Sequence, residues 1–341
     1  MLPVGSGLSV KIDSVVIRKI SPGVPLFLAN IAFNVILPIF IVMALGFWVS
    51  KYFTLDLGSL SKLNFHIFIP VFMFYNLLIF QPAQREMGEV VAFNLVLSGV
   101  TFLAVYGLTR LLKFESKLAA ASTLAVMIFN SANYGIPVIN LALKGDEAVQ
   151  GQGLAIQVVT ITTMNVITYT LGVLIMGGWS EWKKGVQTIL KLPILYALLA
   201  AILIRQLNLD LPEAVMTPLK WTSDGMLPIA LLTLGAQLGQ GGISLRHPRE
   251  LWVTIAARLL LVPLLAFGLI YAFGWIHLMS PHGLQARVLF ISSAFPTAVA
   301  TVLFGIEYDK EPTFAADVVF LTTLLSAVTV TGAISLSTVL F

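Results

Sequence analysis

Nine stretches of this chain, each at least 19 residues long, contain no Asp, Glu, Lys or Arg: 20–50, 63–84, 90–109, 118–143, 148–180, 225–245, 259–286, 288–306 and 318–341. Roughly 20 apolar residues carry a helix across a bilayer, so every one of these runs is long enough to span. A tenth segment, 185–204, is interrupted only by Lys191, near enough to its end for the ammonium to snorkel toward the headgroups. Ten spans are therefore expected. Composition agrees: 58% of the 341 residues are apolar, 11% are charged and mean hydropathy is +0.94. Soluble domains carry about 25% charged residues, so a water-soluble globule is excluded and the class expected is an all-α integral membrane protein.

The net charge of +4 does not point to nucleic acid, because the basic residues are scattered over short loops with no stripe or aromatic-interleaved patch. They read as topology signals. The loops between spans 1 and 2, 3 and 4, 5 and 6, 7 and 8, and 9 and 10 hold 11 Lys and Arg. The opposite loops and the N-terminal tail hold eight. The positive-inside bias then places both chain ends outside a cell (inner) membrane. The tail, residues 1–19 with Lys11, Arg18 and Lys19, precedes an apolar run of spanning length without a small-residue cleavage site, and is read as leading into a retained first helix. All six tryptophans fall at expected span ends, as an interfacial belt requires. With no cysteine, disulfides, thiolate metal sites and thiol redox chemistry are excluded. No pattern calls for a cofactor or a metal. No His-Glu-x-x-His and no mid-span carboxylate pair occurs either, which argues against an intramembrane enzyme.

Prolines recur at a nearly fixed offset. Pro38 and Pro193 are 155 residues apart, Pro70 and Pro228 are 158 apart, and Pro137 and Pro296 are 159 apart, falling in spans 1 and 6, 2 and 7, and 4 and 9. A repeat of five spans enters the membrane from the opposite side the second time. Two inverted five-helix repeats are therefore expected, the construction common among secondary transporters.

Spans 4 and 9 carry the chemistry. Span 4 contains Asn130, Ser131, Asn133, Tyr134, Gly135 and Pro137 within eight residues. Pro137 lacks a backbone donor and disfavours helix at the preceding residue, so the helix is expected to break there. Span 9 offers Phe295, Pro296 and Thr297, where the proline again frees carbonyls. Irregular backbone at this depth survives only when buried in protein or lining a wet cavity. Two such breaks, crossing near the midplane, would aim half-helix N-termini at one spot, and that spot suits an anion. Span 5 also carries Gln157, and the hydroxyls of Thr160, Thr162, Thr163, Thr322, Thr323 and Ser326 read first as interhelical glue. Asn165 stands out because an amide in lipid faces a cavity or a partner. Arg258 in span 8, Asp317 at the start of span 10 and His66 in span 2 are the titratable candidates for coupling transport to an ion. Arg258 and Asp317 could alternatively pair with each other.

At these residues the chain resembles the auxin efflux carrier family, which includes the plant PIN auxin transporters and bacterial carriers of dicarboxylates such as malonate and malate. The matching features are Asn130 through Gly135-Ile136-Pro137, Asn165 through Tyr169-Thr170-Leu171, Phe295-Pro296, and Asp317 followed by Thr322-Thr323-Leu324-Leu325-Ser326. The resemblance implies a fold similar to the bile-acid sodium symporters, with residues 1–84 and 181–245 supplying a scaffold (helices 1, 2, 6 and 7) that usually dimerises. Residues 85–180 and 246–341 (helices 3–5 and 8–10) would form a mobile transport domain. It also implies that Asn130 and Asn165 line the substrate pocket. The long loop of many plant members is absent, and span 10 lacks the proline many relatives have there. The expected function is a secondary transporter of a small organic anion working by an elevator-like shift, driven by H+, Na+ or voltage. A passive anion channel or a membrane receptor with the same fold is the alternative.

Overall fold

The structure, a computed structural model, describes residues 24–80, 84–241 and 244–341; the N-terminal tail reading lies outside them. Every regular element among the described residues is helical. Helix α1 runs Val24–Ile31, passes through a π-helical turn at Ala32–Ile36 and continues as Leu37–Tyr52. Helix α2 comprises Leu57–Leu63, a π turn at Asn64–Phe68 and Ile69–Ile79. Helix α3 is Gln84–Leu111, α4 Ser116–Met127 and α5 Gly135–Ala142. Helix α6 comprises Glu147–Ile167, a π turn at Thr168–Gly172 and Val173–Gly177. Helices α7 (Trp182–Leu190), α8 (Pro193–Gln206) and α9 (Glu213–Gln240) follow. Helix α10 comprises Pro248–Ala256, a π turn at Ala257–Leu261 and Val262–Trp275. The chain ends with α11 (Leu284–Ser293), α12 (Ala300–Glu307) and α13 (Pro312–Leu340).

Among the described residues six helices are long and apolar enough to cross a membrane, and a seventh span results if Trp179–Leu190 and Pro193–Gln206, bent by 48°, count as one. Of the remaining apolar runs, 118–143 and 288–306 form interrupted helices, while most of 225–245 falls in α9, a continuous 28-residue helix whose polar residues lower its hydropathy. Span 6 is the clearest refinement: its first residues form α7, and Pro193 opens α8, where a missing N–H costs nothing because first-turn donors have no intrahelical partner. Pro38, Pro70 and Pro263 each sit two residues past a π turn. A proline ring strikes the carbonyl four residues back, and the wider π turn moves that carbonyl aside, so these helices continue instead of breaking.

Two groups of helices pack internally. In the first, α1 crosses α9, and α2 packs between α8 and α9. A Cβ on Gly46 would strike the Leu232 carbonyl oxygen, one on Gly235 that of Met43, and one on Gly239 would fall 2.9 Å from that of Phe47. Gly235 and Gly239 have the small-xxx-small spacing that lets membrane helices touch backbone to backbone. In the second group α4 packs on α3, α10 and α13, while α11 packs on α6, α10 and α13. The two short pairs, α4 with α5 and α11 with α12, belong here.

Candidate functional site

Both expected breaks are present. After Met127 the chain leaves the helix, is extended through 128–130, and re-enters it at Gly135. After Ser293 it turns at Ala294, runs without helix through 295–298, and turns again at Val299 to re-enter the helix at Ala300. The two extended pieces lie antiparallel as a bridge between Phe129 and Thr297. Asn130 donates its N–H to the Pro296 carbonyl at 2.8 Å, and Ala298 donates to the Ile128 carbonyl at 3.1 Å. Each interrupted helix thus satisfies part of the other's exposed backbone, which is what a break in a nonaqueous interior requires.

The side chains around the crossing divide into those that hold it and those that face a cavity. Arg258 is fully buried and holds it. Its Nε donates to the Phe295 carbonyl at 2.9 Å, one terminal nitrogen to that of Val126 at 2.8 Å, and the other to that of Ser293. Those carbonyls terminate α4 and α11, so one planar fork caps the negative ends of both half-helices. The guanidinium also lies 5.2 Å from the Phe129 ring centroid. Gln157, fully buried, ties the breaks from another side: its Nε2 donates to the Ser131 carbonyl at 2.7 Å and its Oε1 accepts from Ser292 Oγ at 2.6 Å. Thr297 donates its hydroxyl to the Ala125 carbonyl at 2.8 Å. Tyr134, with no exposed surface, sits 2.8 Å from Ser326 Oγ and packs edge-on against Phe295. A side chain at Gly135 would collide with the Phe295 ring at 2.7 Å and with Gln157 Nε2 at 2.8 Å, so the α5 start requires glycine.

On the other side of the crossing lies a cavity of about 340 Å³ between α2, α6, α9 and the two breaks. Asn130, Ser131, Asn133 and Asn165 line it; Tyr134, Gly135, Pro137, Phe295, Pro296 and Thr297 form the packed wall behind. Val299 and Ala300, the start of α12, also line it, as does the 131–133 turn that leads into α5, so two half-helix N-termini lie at its wall. Asn130 Oδ1 accepts from the Tyr134 N–H at 3.4 Å, but its Nδ2 is buried without a partner. Such an unmet donor costs about 1–3 kcal/mol until something accepts from it.

Three residues not singled out in the sequence complete the wall. Asn64, 2% exposed, donates through Nδ2 to Asn133 Oδ1 at 2.9 Å, while its own Oδ1 has no partner. It shares with Asn130 and Asn165 the signal of an amide in an apolar run. Gln237 lies on α9, and the Lys62 side chain reaches the rim. His66 also lines the cavity, its Nδ1 3.0 Å from the Lys62 carbonyl. No carboxylate lines the cavity among the described residues.

Arg258 and Asp317 do not meet. Asp317 is fully buried and accepts from the Ser244 and Leu245 N–H groups, both at 2.9 Å, at the far end of the α9–α10 connection. Among the described residues no group of three or more His, Asp or Glu is placed to hold a metal ion.

An all-helical membrane chain whose interrupted helices cross beside a polar cavity has the build of a transporter. The family model described as "Membrane transport protein" matches residues 31–188 and 183–334, and the chain belongs to that family, the auxin efflux carriers. It is similar to an uncharacterized transporter of Methanothermobacter thermautotrophicus, with 25% identity over 285 residues covering 80% of this chain and 86% of the relative. The protein is a multi-pass membrane transporter.

Proposed function

We propose that this transporter carries a small organic carboxylate anion, bound in the cavity beside the crossing. The observation that carries the reading is the unpaired Asn130 Nδ2 in a cavity that has two half-helix N-termini at its wall, Lys62 and His66 at its edge, and no carboxylate among the described residues. Each of these favours negative charge, and none is an arginine clamp. Neutral donors bind weakly and release readily, which suits turnover. Asn133 and Asn165 supply further donors at the same wall.

The cavity lies between the two helix groups, which supports an elevator reading. Residues 1–84 and 181–245 form a static scaffold through which two copies pair, and residues 85–180 and 246–341 carry the substrate past it. The lengths of the interrupted pairs, 12 and 8 residues in one and 10 and 8 in the other, support the two inverted repeats and the count of ten spans. Of the three coupling candidates, Arg258 and Asp317 are occupied in holding structure. His66 alone lines the cavity, which favours H+ over Na+ as the coupling ion.

Purified protein in liposomes tests the reading. Uptake of labelled malonate, malate and indole-3-acetate is measured under imposed proton, sodium and voltage gradients, with neutral malonamide as control. Saturable uptake of at least one anion, with none of malonamide, is expected. Equal handling of malonate and malonamide would contradict an anion site. Flux that never saturates would indicate a channel, and binding without flux a receptor.

A further inference from the structure

A second and larger cavity, about 700 Å³, lies away from the crossing, between α3, α4 and α6. Its lining on α3 includes Gly99, Leu103, Tyr106 and Arg110, which recur every three or four residues and so mark one helix face. From Gly99 to Arg110 that face runs about 16 Å, close to half of the ~30 Å hydrocarbon core. The floor is made of small α4 side chains, Ala119, Ala120 and Thr123, and the side opens outward past Leu103, which is 68% exposed. The cavity is thus an apolar groove one leaflet deep.

Its ends differ in charge. At the mouth stand Arg110, Lys310 and Trp179, the last 81% exposed as an interfacial indole would be. Arg110 rests on the Tyr106 ring, 5.0 Å from the centroid, and donates to its hydroxyl at 3.0 Å. Lys310 donates to the Ile175 carbonyl at 3.3 Å. Neither forms an ion pair among the described residues. Lys117 and Lys184, at the same end of the molecule, are paired with Asp309 and Glu307. Partial burial, with Lys117 nearby, holds the Lys310 ammonium below the usual lysine range.

We infer that this groove is a binding site for an anionic phospholipid of the adjacent leaflet, its phosphate held between Arg110 and Lys310 and one acyl chain lying along Leu103 and Leu171 toward Gly99. Basic pockets between membrane helices select anionic headgroups in this way. A zwitterionic lipid would fill the apolar shaft equally well but bring no net charge to the two cations. Because α4 continues from the groove floor to Met127, where the crossing begins, occupancy here bears on the helix that leads into the Asn130 segment.

The test is native mass spectrometry of the full chain released from nanodiscs containing equal phosphatidylglycerol and phosphatidylcholine. One phosphatidylglycerol retained with a preference of about ten- to thirty-fold is expected. Arg110→Gln with Lys310→Gln should bring that preference close to one, and Arg110→Lys with Lys310→Arg should keep it. If the double glutamine variant does not fold, Lys310→Gln alone should lower the preference by about three- to five-fold. Equal retention of the two lipids by the unaltered protein, or an undiminished preference in a folded glutamine variant, would overturn the assignment. Displacement of the lipid by millimolar inorganic phosphate would overturn its acyl-chain half.

Discussion

A charged side chain with no exposed surface, such as Arg258, must be doing something that outweighs its desolvation. Here it donates to three carbonyls that two helix interruptions leave without partners. Arg258→Met keeps much of the volume but leaves those carbonyls buried and unpaired, at about 1–3 kcal/mol each. We expect a large drop in the detergent melting temperature and loss of uptake together. Arg258→Lys should recover part of the stability, because an ammonium lacks the planar fork that reaches several acceptors at once. Melting curves of both variants check this. The sequence exposed Arg258 as an intramembrane charge but not its role, since its acceptors come from residues 126, 293 and 295. Only the folded crossing brings them together. Asn130 and Asn165 were legible because amides are costly in lipid. Asn64 carried the same signal, but nothing in its run marked its partner as Asn133, 69 residues away.

At the scale of helices, the interruptions were the most legible feature, because proline and glycine beside amides oppose helix by known steric rules. The π turns were not legible. Pro38, Pro70 and Pro263 predict a disturbance, but whether a helix breaks or widens is decided by its neighbours. The Gly235/Gly239 spacing was readable but names no partner helix, and α1 emerges as that partner only in three dimensions. Gly235→Val should be destabilising by several kcal/mol or block folding, because the added carbons meet backbone that cannot move aside. Gly107→Ala, where a Cβ meets nothing within 4 Å, is the matched control and should change the melting temperature little.

For the whole molecule, the lysine-rich end is drawn together by contacts between distant segments. Lys117 at the start of α4 pairs with Asp309 beyond α12 at 2.7 Å, and Lys184 of α7 pairs with Glu307. Lys117 holds the Asp309 carboxyl below the usual carboxylate range and is itself raised above the usual lysine range. The first effect contributes stability above the unfolded carboxylate value, about 3.9, and is lost as pH falls through the lower folded value. The second is complete below about 10.4 and is lost as pH rises through the raised lysine value. The melting-temperature difference between the unaltered protein and Asp309→Asn should therefore be flat from about pH 5 to 9 and vanish on strong acidification. Both partners are exposed, so it should be small and shrink with added salt.

In the proposed transport the unmet amide of Asn130 is the anchor for a carboxylate. Initial uptake rates into liposomes, measured for Asn130→Ala and Asn130→Asp beside the unaltered protein, test this most directly. All three must first show matching melting curves. A hydrogen bond to a charged partner contributes about 1.5–3 kcal/mol, so the alanine variant should lose roughly 10- to 100-fold in kcat/KM for the transported anion. The aspartate variant, which sets like charge against the substrate, should carry none. Undiminished anion uptake by either variant would contradict the account.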